Sequence, residues 1–144
     1  MKPLSIILIA ITAMLAPACS DSDVWDSVPP KIATFLNRYY PNSELASCTR
    51  TGSDYRVRIK DGPGITFDAA CEWTAIAGYG ELIPQVLLFD QLPPALYEYL
   101  QQTATTADVY SLERDRTTYT VGLKNTSVVY DIATGTVRSP VPPD

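Results

Sequence analysis

The feature that most constrains the fold of this chain is a self-similarity at a period of 64 residues. Val28-Pro29-Pro30-Lys31-Ile32-Ala33-Thr34-Phe35-Leu36 returns as Leu92-Pro93-Pro94-Ala95-Leu96-Tyr97-Glu98-Tyr99-Leu100, and Asp54 to Lys60 returns as Thr118 to Lys124. When residues 28–60 are set against 92–124, eight of 33 positions are identical: Pro29, Pro30, Leu36, Ser47, Arg50, Tyr55, Val57 and Lys60 with their counterparts. Others exchange like for like, among them Ile32 with Leu96, Phe35 with Tyr99 and Leu45 with Val109. After one deleted residue the match resumes, Ile65 to Asp68 against Val128 to Asp131. A period of this length is a supersecondary unit copied in tandem.

Periodicity gives the content of the unit. Ile32, Phe35, Leu36 and Tyr39 fall at i, i+3, i+4 and i+7, the stripe of an amphipathic helix, and Leu96, Tyr99 and Leu100 repeat it. Ser27 is placed to cap the first helix, Pro29 and Pro30 suit its first turn, and Pro41-Asn42 ends it. Tyr55, Val57 and Ile59 then alternate with Arg56, Arg58 and Lys60, which describes a strand with one apolar and one charged face. Gly52-Ser53 and Gly62-Pro63-Gly64 supply the turns on either side. The expected architecture is α+β: two tandem repeats, each a helix packed on a four-stranded antiparallel meander sheet. Repeat 1 covers 28–77, repeat 2 covers 92–139, and 140–144 is a tail. Between the repeats, 78–91 carries Leu82, Ile83, Val86, Leu87, Leu88 and Phe89, too apolar for a free linker, and is expected to pack as a short helix.

The N-terminus reads as an address. Lys2, the apolar run Leu4 to Leu15 and the small-residue Ala16-Pro17-Ala18 make residues 1–18 a signal peptide. A run of twelve residues is too short to span a bilayer. Cys19 stands at the cut, before the acidic run Ser20-Asp21-Ser22-Asp23, and 19–27 reads as a tether. This arrangement resembles a bacterial lipoprotein signal, which implies acylation of Cys19 and anchoring to the outer membrane, on its periplasmic or its outer side; ordinary secretion with an incidental thiol is the competing reading. The acidic run likewise resembles a surface-export tether of Bacteroidetes lipoproteins. That leaves Cys48 and Cys71, an even pair for an oxidising compartment. A simple meander puts them about 10 Å apart, beyond the ~7 Å that a disulfide tolerates, so both a bonded and a free pair stay open.

Taken together, the Leu-Pro-Pro helix opening, the Tyr-x-Val-x-Ile/Leu strand, and Phe67-Asp68 or Tyr130-Asp131 before a turn and Trp73 resemble the tandem PepSY-like repeats of Bacteroidetes secreted proteins. The resemblance covers residues 28–138. It implies a fold similar to that of beta-lactamase inhibitor proteins and carries no catalytic residue across.

The chemistry legible in the residues agrees with a chain that is not an enzyme. It has no histidine, which removes the commonest general base and metal ligand, and Gly62-Pro63-Gly64 lacks the lysine of a phosphate loop. Asp68 and Asp131 could pair as acid and base, but both sit at strand ends where carboxylates form turns. No cofactor or metal is expected. A net charge of -5 argues against nucleic acid, and the membrane is met only through the lipid. What remains is surface. If the helices cover the Tyr55/Val57/Ile59 face, the opposite face presents Arg56, Arg58 and Lys60 from one repeat, with Thr120, Lys124 and Tyr110 from the other. The expectation is an envelope module that binds an unidentified protein partner there, as an inhibitor or sensor; the alternative is a scaffold lipoprotein with no dedicated ligand site.

Overall fold

The computed structural model describes residues 21–141. The expected signal peptide and the expected lipidation site Cys19 lie outside these residues. Two helices open the described segment, α1 (Asp21–Asp26) and α2 (Pro30–Tyr39). Four strands follow: β1 (Leu45–Thr51), β2 (Asp54–Ile59), β3 (Gly64–Phe67) and β4 (Trp73–Ala77). Two further helices, α3 (Gln85–Gln91) and α4 (Pro94–Gln102), and a 3-10 turn over Thr106–Asp108 lead into β5 (Ser111–Arg114), β6 (Thr118–Gly122), β7 (Ser127–Asp131) and β8 (Thr136–Val141).

The fold is α+β with a single eight-stranded antiparallel sheet in the order β1 to β8. This corrects the expectation of two four-stranded sheets. β4 pairs with β5 through Ala75↔Glu113, Ile76↔Leu112 and Ala77↔Ser111, so the meander runs on without a break. The physical reason is edge chemistry: a four-stranded meander ending at β4 would leave a row of unpaired N–H and C=O groups beside another such row on β5, and pairing them satisfies both.

Strand alternation sorts the residues onto two faces. One row across the sheet runs Cys48, Val57, Ile65, Ile76, Leu112, Val121 and Val128, and all but Cys48 are buried. α2 brings Ile32, Leu36 and Tyr39 into the same core, α3 brings Leu87 and Leu88, and α4 brings Leu96 and Leu100. Each fully buried leucine or isoleucine here contributes about 2 kcal/mol of transfer free energy. Phe35, half-buried on α2, meets Phe67 of β3 edge to face at 5.4 Å between ring centroids.

Three of the helices begin in the same way. Pro29, Pro84 and Pro93 are the N-cap residues of α2, α3 and α4, with φ of -58°, -58° and -56°, and none has a side-chain cap. Proline's fixed φ directs the chain into the helix without a capping side chain. Ser27, expected as the cap of α2, instead donates its hydroxyl to the carbonyl oxygen of Val24 at the end of α1. That short helix falls within the segment read as a tether, and Val24 and Trp25 pack against the core.

Candidate protein-binding face

The helix-free face of the sheet is built from small and polar residues. One row runs Thr49, Arg56, Thr66, Ala75, Glu113, Thr120, Val129 and Arg138; the next runs Ser47, Arg58, Gly64, Ala77, Ser111, Gly122 and Ser127. With eight strands about 4.8 Å apart, the platform is roughly 34 Å wide. Its middle is kept low by glycines. A Cβ on Gly122 would meet the Ser111 hydroxyl at 2.1 Å, and one on Gly64 would meet both Arg58 Cδ and Tyr79 Cε2 at 3.1 Å.

Gly64 therefore carries the most distinctive constellation on this face. Arg58 and Tyr79 both lie over it, and the Arg58 guanidinium sits 4.6 Å from the centre of the Tyr79 ring. Tyr79 comes from the turn after β4, has φ of +51° and is 65% exposed. A guanidinium stacked on an exposed phenol ring is the residue chemistry that anchors protein interfaces. Sequence reasoning placed Tyr79 at the start of the apolar connector and missed its place on this face. Only the positive-φ turn at Tyr79-Gly80 carries its ring to Gly64 of β3, and that turn has no signal beyond the glycine.

The other residues expected on this surface are not all brought together. Arg56 and Arg58 share one flank, both exposed. Thr120 lies on the same face four strands from Arg56, roughly 19 Å away, with Glu113 beside it on β5. Lys60 follows β2, and its ammonium is 3.3 Å from the Glu44 carboxylate. Lys124 is exposed in the β6–β7 turn, closed by Leu123 N–H donating to the Thr126 carbonyl. Tyr110 is half-buried just before β5; its N–H donates to the Gly122 carbonyl and its carbonyl accepts from Gly78. The expected basic and aromatic platform is thus a small-residue platform, with Arg56, Arg58 and Tyr79 gathered at the β2–β3 flank and Arg138 at the far edge on β8.

Cys48 and Cys71 are both free thiols. Strands β2 and β3 separate the strand of Cys48 from the turn of Cys71, where φ is +64°. Burial pushes the Cys48 thiol pKa up, against a weak contact with the Ser27 carbonyl.

A second cluster, beneath the helices, fastens the seam where β4 meets β5. Trp73, 2% exposed, donates its indole N–H to Gln91 Oε1 at 3.0 Å, and Gln91 in turn donates to the Tyr39 hydroxyl. From β5, the Arg114 guanidinium stacks over the Trp73 ring at 4.1 Å and donates through Nε to the Trp73 carbonyl at 2.6 Å. Glu72 pairs with both Lys31 of α2 and Arg114. Two turns further along α2, Arg38 and the Tyr39 hydroxyl both donate to Asp90 of α3, which holds that carboxyl below its ordinary value. Helices α2 and α3, the turn at Glu72 and both halves of the sheet are joined through one network.

Among the described residues no group of three or more histidine, cysteine, aspartate or glutamate side chains could hold a metal ion, and no helix is long and apolar enough to cross a membrane. A helix-backed antiparallel sheet with one face bare is an architecture that does not by itself fix a function. The chain belongs to the PepSY-like family, described as "Putative beta-lactamase-inhibitor-like, PepSY-like", whose profile matches residues 19–72 and again 53–137. The family is inhibitor-like or of unknown function, and is not a known enzyme family.

Solved structures share the fold. A "putative periplasmic protein" of the DUF2874 family from Bacteroides vulgatus ATCC 8482 superposes with a TM-score of 0.66 at 21% identity, covering 79% of this chain and 90% of that one. A "putative calcium-regulated periplasmic protein" from Bacteroides thetaiotaomicron gives 0.65 at 21% identity, with the same coverage. A further B. vulgatus periplasmic protein of unknown function gives 0.64 at 18% identity, covering 79% and 94%. No curated protein matches the sequence.

Proposed function

We propose that this chain is a non-enzymatic binding module of the cell envelope that engages a protein partner through the bare face of its sheet, as an inhibitor or sensor. The observation that carries this reading is the Arg58–Tyr79 stack over Gly64 at the flank of a broad, low platform. A platform of that width can supply the roughly 800 Å² per partner of a standard interface, and the stack can anchor it. Arg56 and Arg58 on one flank favour a partner with an acidic patch opposite them. In this reading the eight strands descend from duplication of one helix-plus-four-strand unit, and the mature chain is exported and tied to the outer membrane by a lipid on Cys19. The periplasmic relatives support the compartment. Calcium regulation, the property named for one relative, is not carried over to this chain.

The test is capture from envelope extract with the full mature chain as bait, comparing wild type with Arg56→Glu/Arg58→Glu and with Tyr79→Ala. Partners that disappear with both variants support the sheet face. Retention of every partner by both overturns it and favours the scaffold reading, which instead predicts that loss of the anchor in Cys19→Ala abolishes function while changes to the sheet face do not.

A further inference from the structure

The α3–α4 hairpin carries a second exposed surface of different character. Phe89, 66% exposed, meets Tyr97 edge to face at 5.4 Å, and the two line an open groove of about 480 Å³ with Leu92, Pro94, Glu98 and Gln101. Val86 lies three residues before Phe89 on α3, with Leu82 four residues earlier still, and both are about half exposed. Large apolar side chains gathered in this way on a monomer mark an interaction site.

Charge says which kind. From Asp61 to Glu113 the chain contains no lysine or arginine, while Glu81, Asp90, Glu98 and Asp108 are all exposed on or beside the hairpin. Arg38 reaches α3 from α2, and its guanidinium is already held by Asp90. We propose that the α3–α4 groove binds a cationic amphipathic segment of a protein partner, its apolar side chains against Phe89 and Tyr97 and its basic ones against Glu98. Two aromatic faces beside a carboxylate suit an ammonium or guanidinium group through both cation–π and ionic attraction. Laying the apolar stripe of a helix into such a groove is a recurrent mode of peptide recognition. The same charge pattern opposes a symmetric second copy, which would set Glu98 and Glu81 against themselves with no basic residue of the hairpin to offset them, and it opposes an anionic lipid surface.

This surface is distinct from the sheet platform, and the test separates them. The probe is a fluorescein-labelled helical peptide of about 18 residues with leucine at i, i+3 and i+4 and lysine elsewhere, titrated with the full mature chain and read by anisotropy. Its controls are the counterpart with glutamate for lysine and a scrambled lysine–leucine peptide without an apolar face. Binding is expected for the amphipathic cationic peptide alone, weakened about tenfold by Glu98→Lys and by Phe89→Ser, and unchanged by Arg56→Glu/Arg58→Glu. Both hairpin positions are exposed, so thermal unfolding of these variants is expected to match wild type. No binding, equal binding of the anionic or scrambled peptide, or binding indifferent to both hairpin variants overturns the proposal. A dimer in sedimentation that Phe89→Ser dissolves also overturns it, because the groove is then filled by a second copy.

Discussion

Arg50 and Tyr55 face each other across the β1–β2 hairpin, and Arg114 and Tyr119 across the β5–β6 hairpin, 64 positions on. In the first pair the guanidinium sits 5.3 Å from the tyrosine ring, on a strand that pairs only with β2. In the second, β4 occupies the far side of β5, and the guanidinium has turned onto Trp73 at 4.1 Å, leaving Tyr119 at 6.0 Å. Arg50 is exposed, whereas the Arg114 side chain retains only 20% exposure and has a backbone carbonyl, a carboxylate, an indole and the Tyr119 hydroxyl as partners. The same two residue types are thus a surface contact in one place and part of a seam in the other. The strand next door, more than the pair itself, decides what they contribute.

Removing the centre of the seam is the most severe test. Trp73→Ala deletes a buried indole together with its bond to Gln91 and the stacking surface for Arg114, and is expected to cost about 4 kcal/mol in denaturant unfolding. A loss under about 1 kcal/mol would mean that the two halves of the sheet hold without it. Next comes Gly78→Ala, just past the end of β4. Its Cβ would stand 2.1 Å from the Glu81 carbonyl oxygen and 2.7 Å from that of Tyr110, both backbone atoms that cannot rotate aside. Overpacking of this kind costs about 3 kcal/mol, and because Gly78 N–H also donates to Tyr110, the loss should appear as faster amide exchange on β4 and β5 before the rest of the sheet.

The arginines themselves sharpen the contrast. Arg114→Ala strips the Trp73 carbonyl of its guanidinium donor and leaves Glu72 with Lys31, for an expected loss of about 2 kcal/mol. Arg50→Ala is expected to stay within about 0.5 kcal/mol of wild type, the usual range of a surface contact. Equal losses in the two variants would break the comparison.

The sequence carried the helices and strands because their signals are local: the Ile32/Leu36/Tyr39 stripe and the Tyr55/Val57/Ile59 alternation are each contained within ten residues. It did not carry the joining of β4 to β5, because Ala75, Ile76 and Ala77 gain their partners only after α3 and α4 have returned the chain across more than thirty residues. The candidate site divides in the same way. Arg56 and Arg58 were legible from alternation, whereas Tyr79 reaches Arg58 only through a positive-φ turn, and the dispersal of Lys60, Tyr110 and Lys124 to strand ends follows from where each hairpin closes.

The hairpin tips offer the finest test. The β1–β2 turn uses Gly52 at φ +64°, a conformation glycine adopts without strain. The β5–β6 turn reaches a similar reversal with a carboxylate: Asp115 Oδ1 accepts the backbone N–H groups of Thr117 at 2.8 Å and Thr118 at 2.9 Å. Those backbone bonds, with the Thr117 hydroxyl, lower the Asp115 pKa from its ordinary value. A carboxyl whose pKa is lower folded than unfolded adds stability that is complete above the unfolded value of about 3.9 and is lost as pH falls through the folded value. Asp115→Asn is therefore expected to lower Tm slightly at neutral pH, with the gap to wild type closing progressively below about pH 4. Gly52→Ala forces a Cβ into positive φ, and its deficit is expected to be the same at both ends of that pH range. A deficit of Asp115→Asn that persists unchanged at acid pH would show that the turn depends on side-chain shape rather than on the carboxylate charge.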